Sequence, residues 1–145
     1  MKKLLSIIVL GLLLSGNAYS EVTNLICEYK ETYYRNWNKN KFGETIIDES
    51  IAKIAYFSIT KNNDNDYGFE TNIRLPNLQN IKDEKFVSIV DENNYLFTAQ
   101  KNTLYVSIGI NRLSGTLTTQ TGHRNDNGKY LIQDSYVCKK GEQKF

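Results

Sequence analysis

From Leu104 to Asn111 the chain alternates without a break. Leu104, Val106, Ile108 and Ile110 are apolar, and Tyr105, Ser107, Gly109 and Asn111 stand between them. A period of two is that of a strand with one buried face, and a slip of one residue would expose the whole apolar set. The same period recurs along the chain. Leu25, Cys27, Tyr29 and Tyr33 share one face of a first strand, with Glu28 and Lys30 on the other. Ala55, Phe57 and Ile59 mark a second, and Tyr67, Phe69, Thr71 and Ile73 a third. Phe86 to Val90, the Tyr95–Phe97–Ala99 set, Thr116 to Thr121, and the Tyr130–Ile132–Tyr136–Cys138 set supply the rest. The connections are short and polar: 61–66, 91–94, Lys101-Asn102, Ser114-Gly115 and Asn125 to Gly128. Asn, Asp and Gly favour such turns because they tolerate positive φ or bond their own backbone.

Composition agrees with strands. β-Branched and aromatic residues are abundant, while Ala occurs after residue 20 only at positions 52, 55 and 99. Such residues suit a pleated, half-buried surface. Sequential strands on short turns predict an all-β fold, an antiparallel meander of about eight strands curled into a small barrel or a strongly bent sheet. Two segments depart from the period. Ile47, Ile51 and Ile54 around Asp48, and Pro76, Leu78 and Ile81, carry helical spacing, so one short helix is expected. Residues 35–46 read as a long loop or an irregular edge.

The first 20 residues belong to no strand. Met1-Lys2-Lys3 is basic, Leu4 to Leu14 is an apolar run, and Ala18 and Ser20 occupy the −3 and −1 places of a cleavage site before Glu21. That is the layout of a secretory signal peptide. An apolar run of 11 residues is too short to span a bilayer, which needs about 20. The expected mature chain is a single β domain of residues 21–145, periplasmic or secreted. All 16 acidic residues lie in it, and of the 18 Lys and Arg only Lys2 and Lys3 lie in the leader. The formal +2 is therefore the leader's, and the mature chain is neutral, which excludes a polybasic nucleic-acid or membrane-surface binder.

Export gives the two cysteines a meaning. Cys27 and Cys138 sit on the apolar faces of the first and last strands, and in an oxidising compartment an isolated pair is expected to be one disulfide. Its Cα atoms must then lie about 4.4–6.8 Å apart, which makes the two end strands near neighbours and favours closure of the sheet.

Residues that carry chemistry are sparse. His123 is the sole imidazole, in the turn-like stretch Gly122-His123-Arg124-Asn125, with no nucleophilic serine context beside it. Asp64, Asp66 and Gly68 resemble the start of a calcium loop, but Phe69 and Leu75 stand where an EF-hand needs Gly and Glu. Acidic pairs such as Asp48-Glu49, Asp83-Glu84 and Asp91-Glu92 fall in polar turns. No catalytic set, metal site or cofactor is expected from these residues. The most unusual cluster is Tyr33, Tyr34, Arg35 and Trp37, where aromatics with Arg and Asn form a candidate surface for a sugar or a partner's anchor. The alternative for Trp37, the single tryptophan, is that it covers one end of the barrel.

The stretch from Leu104 to Leu117, ending Ile110-Asn111-Arg112-Leu113-Ser114-Gly115-Thr116-Leu117, is followed later by Tyr136-Val137-Cys138. It resembles the ending of many small exported bacterial proteins of unknown function, in which a strand runs into an I-[DN]-R-x-[ST]-G-x-L turn and the chain ends near a Cys. The resemblance implies a small exported β-protein and no particular activity.

Three functions follow as expectations. The aromatic set Tyr29, Phe57, Phe69, Phe97, Tyr130 and Tyr136 would fill an eight-stranded interior, which favours an envelope-accessory protein acting through its surface, without catalysis. Its partner would be an envelope protein or a glycan. The alternative is a calycin-like barrel that binds a small apolar ligand. A hydrolase comes third, for want of a constellation.

Overall fold

The structure is a computed structural model that describes residues 22–36, 43–76, 78–125 and 128–141. The expected signal peptide, residues 1–20, lies outside the described residues. The strands in chain order are β1 (Val22–Asn36), β2 (Glu44–Ile46), β3 (Ile54–Asn63), β4 (Asp66–Thr71), β5 (Val87–Val90), β6 (Asn94–Lys101), β7 (Leu104–Asn111), β8 (Thr116–Asn125) and β9 (Gly128–Lys140). Every pairing is antiparallel. β5 to β9 form a meander, β9 pairs with β1, β1 with β3 and β3 with β4. The ring nearly closes. At the remaining seam Tyr67 N–H donates to Ser88 Oγ at 3.2 Å, joining β4 to β5 without a ladder.

The expected all-β meander is present, and its eight strands correspond to β1 and β3–β9. Residues 35–46, expected as a long loop or an irregular edge, carry strand at both described ends. β1 continues to Asn36, and β2 adds to its edge with Thr32 opposite Ile46 and Tyr34 opposite Glu44. The 6–7 connection is Asn102-Thr103, with Asn102 at a positive φ of 54°. Leu78–Ile81 is a single 3₁₀ turn, so the expected helical element is reduced to that. The segment around Ile47, Ile51 and Ile54 is not a helix. The Asp48 carboxylate takes the N–H and the hydroxyl of Ser50, at 3.0 and 2.6 Å, and Ile51 N–H reaches Asp48 O. An Asp that bonds the backbone two residues on makes a turn rather than a helix. Ile54 then opens β3.

β1 does not keep one alternation. Against β9 its register shifts between Tyr29 and Glu31, a β-bulge. The extra residue moves every later side chain to the opposite face. Leu25, Cys27 and Tyr29 face the interior, but beyond the bulge it is Thr32 that is buried. Tyr33, expected on the Cys27 face, therefore lies on the other one. Its ring covers Gly43 and occupies the place a Cβ there would need.

The core fills the ring. Phe69 meets Phe57 at 5.3 Å, Phe97 at 4.9 Å and Phe86 at 5.0 Å between ring centroids, so four rings from four parts of the chain pack together, Phe57 and Phe97 fully buried and Phe69 and Phe86 partly. Such pairs contribute roughly 0.5–1.5 kcal/mol beyond the area they bury. Tyr29 and Tyr136 are also buried, whereas Tyr130 is only half-buried. On β7 the four apolar residues are buried and the four between them are not. The β4–β5 connection sends Ile73, Leu75 and Ile81 into the same core. It is tied to β8 by Thr121 Oγ1, which donates to Pro76 O at 3.1 Å.

Cys27 and Cys138 are register partners on β1 and β9 and are joined by a disulfide, with Cα atoms 4.0 Å apart, a little under the expected range. The β7–β8 turn abuts this staple. Asn111 Oδ1 takes the N–H groups of Leu113 and Ser114, Gly115 adopts a φ of 70°, and Gly115 O accepts Cys138 N–H at 2.7 Å. The N-R-x-S-G pattern and the distant Cys thus meet in one place.

Candidate functional site on the outer face of the barrel

The residues singled out in the sequence do not converge. Tyr33 and Arg35 share one face of β1 and Tyr34 lies on the other, because neighbours on a strand alternate. Tyr34 accepts a long hydrogen bond of 3.4 Å from Asn36 Nδ2. Trp37 lies outside the described residues. His123 is not in a turn. It sits on β8, its ring parallel to that of Tyr130 at 5.9 Å, with Thr103 Oγ1 3.2 Å from Nε2. Both rings border a hollow of about 320 Å³ that Lys101 and Asn80 also line.

Inside the barrel a polar chain crosses from β1 to β9. Asp48 N–H donates to Tyr29 Oη at 3.0 Å, and Thr32 Oγ1 donates to Asp134 Oδ1 at 2.6 Å. Thr32 has one hydroxyl proton, so in the 2.8 Å contact between Tyr29 and Thr32 the phenol is the donor. Arg74 clamps the two ends of this chain, with Nη1 3.0 Å from Asp48 Oδ2 and Nη2 3.5 Å from Asp134 Oδ1. The hydrogen bonds from the Ser50 side chain and backbone hold the Asp48 carboxyl below its ordinary range, and Arg74 adds to this. Burial, then the charge of Asp134, push the Tyr136 phenol upward, so it stays protonated. The side chain of Asp134 is wholly buried. This network anchors β1, β9 and two loops, and on the loop side Arg74 and Asp48 reach the surface.

A larger hollow lies on the outside. It measures about 920 Å³ and lies over the outer face of β9, β1, β3 and β4. Two rows of outward side chains cross its floor. In one, Lys139 stands opposite Ile26, and Ile26 opposite Tyr56, whose backbone is joined to Asn72. In the other, Asn24 stands opposite Ser58 and Ser58 opposite Glu70. Tyr56 is 60% exposed although it is mid-strand. Both amides are held by their carbonyls: Asn24 Oδ1 accepts Ser58 Oγ–H at 2.8 Å, and Asn72 Oδ1 accepts Tyr56 N–H at 2.7 Å. Each keeps its Nδ2 donors out of that bond. The disulfide joins β1 and β9 directly beneath the row of Ile26 and Lys139.

Sequence reasoning passed over these residues because Tyr56, Asn24 and Asn72 read as the polar face of strands. The signal that would have found them is a large aromatic, Tyr56, on the face opposite Ala55 and Phe57. Among the described residues no group of three or more His, Cys, Asp or Glu is placed to hold a metal ion, and no helix is long and apolar enough to cross a membrane. No known protein family, curated protein or solved structure matches the chain.

Proposed function

We propose that this is a small exported β-barrel protein, released from its signal peptide before Glu21, that acts by binding a partner on its outer surface in the cell envelope or outside the cell. The observation that carries the reading is where the free volume lies. The rings of Phe57 and Phe97 are buried in the interior with Phe69 and Phe86 packed against them, while the 920 Å³ hollow lies over the outer face. A lumen packed with side chains leaves a small apolar ligand no site of the usual enclosed kind. The Cys27–Cys138 bond supports export, since structural disulfides persist in oxidising compartments. The resemblance of the β7–β8 turn and the late Cys to small exported proteins fits the same reading.

The test is a photoreactive residue placed at Tyr56, and separately at the exposed Ile89 on β5, outside the groove, in protein exported by living cells. An adduct at position 56 and none at position 89 is expected. A native mass spectrum showing a stoichiometric apolar small molecule, with no adduct at position 56, would overturn the proposal in favour of the ligand-carrier alternative.

A further inference from the structure

We infer that the groove over β9, β1, β3 and β4 is a carbohydrate site that takes a short neutral oligosaccharide, with Tyr56 as its stacking platform. This rests on the surface-binding reading above and names the chemistry of the ligand.

The groove offers three kinds of group. The first is a flat apolar ring. Tyr56 is flanked by Ile26, and its 60% exposure leaves the ring for a ligand to cover. The second is a pair of oriented donors. Oδ1 of Asn24 and of Asn72 accepts from Ser58 and from Tyr56 N–H, which fixes each amide and leaves its Nδ2 donors for a ligand. The third is an acceptor, the exposed Glu70 carboxylate beside Ser58. A ligand that satisfies all three has an apolar face and hydroxyls that both accept and donate. A sugar ring has both.

Two other occupants fit less well. An extended peptide is held by main-chain bonds to an open sheet edge. Here β9, β1 and β3 are paired on both sides, so the floor offers side chains, and only β4 at its margin keeps an edge without a ladder. A polyanion would want a field of one sign, and the groove sets Glu70 against Lys139 and Lys140. Pre-organisation favours binding as well. The groups stand on paired strands, the amides are fixed, and β1 and β9 are covalently joined below them.

The experiment uses the mature, disulfide-bonded protein on an array of neutral oligomers of hexoses and N-acetylhexosamines together with acidic glycans. Titration of the strongest neutral tetrasaccharide by NMR follows. Saturable binding of at least one neutral oligomer is expected. Tyr56→Ala should weaken it about tenfold or more, as truncation of a central aromatic does. Tyr56→Phe should retain it. Asn72→Asp keeps the Oδ1 acceptor for Tyr56 N–H and removes the donor, and should also weaken it. These last two variants decide the matter if Tyr56→Ala proves unstable. Binding of acidic glycans alone, no binding at all, or neutral binding indifferent to Tyr56→Ala and Asn72→Asp would overturn the inference. If no glycan binds while a photoreactive residue at position 56 still captures a protein, the carbohydrate inference falls and the surface-binding reading stands. If position 56 captures nothing either, both fall.

Discussion

Thr32 Oγ1 donates to Asp134 Oδ1 at 2.6 Å, a buried hydrogen bond between residues 102 apart in the chain. It exists because the bulge between Tyr29 and Glu31 turns Thr32 inward at the position where β9 presents Asp134. A charge with no exposed surface is tolerable only with close partners, here Thr32 and Arg74.

Removing one partner of that pair should be costly. Asp134→Ala leaves Thr32 without its acceptor and Arg74 with Asp48 alone, and should destabilise the fold by about 3–5 kcal/mol, whereas Thr32→Val should cost roughly 1–3 kcal/mol. Urea unfolding of both single variants and of the double variant measures the coupling. A double variant as unstable as the sum of the singles would mean the two groups do not interact.

The alternation on β7 makes a second prediction. Ile108 is fully buried and mid-strand, and Ile108→Ala should lower stability by about 2–5 kcal/mol through lost transfer energy and a cavity. Ser107→Ala, on the opposite face, should change it by roughly 0.5 kcal/mol or less. Equal urea midpoints for the two variants would contradict the buried face seen on β7.

How much of this was legible beforehand depends on which force set each feature. Strands such as β7 were legible because burial of one face imposes a period of two on the residues themselves. The bulge in β1 was not. Tyr29, Lys30, Glu31 and Thr32 carry no turn residue, and the shift is set by what β9 offers across the ladder. Thr32 and Asp134 looked like surface for the same reason, since a polar residue declares its burial only through a distant partner. Ile47, Ile51 and Ile54 misled because the Asp48 side chain outcompetes the helix that their spacing suggests. The candidate groove was illegible as a unit. Asn24, Tyr56 and Lys139 come from three strands and Asn72 follows a fourth, and only the register of the sheet brings them together. Tyr33, Tyr34 and Arg35 were grouped by adjacency, yet adjacency on a strand separates faces.

The disulfide should be worth several kcal/mol. Breaking a bond that spans 111 positions releases a long loop in the unfolded chain, and the chain-entropy model puts this at about 4–5 kcal/mol. Oxidised protein should weigh about 2 Da less than reduced protein. Its urea midpoint should fall on adding dithiothreitol, and the Cys27→Ala, Cys138→Ala double variant should match the reduced form without further change.

The β7–β8 turn predicts a sharp response at one glycine. Gly115 has a φ of 70°, and a Cβ there would stand 2.6 Å from Cys138 O. Gly115→Ala should therefore cost more than about 1 kcal/mol, from both backbone strain and the pressed carbonyl. Near-ultraviolet circular dichroism and thermal melting would record it. A melting temperature equal to that of the parent would show that the turn adapts.

Acid should weaken the fold through Asp48. Its carboxyl is held low by Ser50 and then Arg74, so the folded state binds its proton less readily than the unfolded chain does. Such a group contributes stability above its unfolded value of about 3.9, and the contribution is lost as pH falls through the lower folded value. Urea midpoints should drop from pH 5 to pH 2, and Asp48→Asn should flatten that slope while lowering stability at pH 7.

The neighbour relation of β1 and β9 also governs how the molecule comes into being. The last strand lies between the first strand and β8, so a chain delivered from its N-terminus waits for residues 128–140 before it can close. Until then β1 and β8 each present an unpaired edge, the surface on which strands of other molecules add. The closing contacts span nearly the whole sequence, which places this protein among slow folders, in the millisecond-to-second range. The cysteines stand on the two strands whose meeting closes the ring, so their bond covalently joins the two ends of the fold.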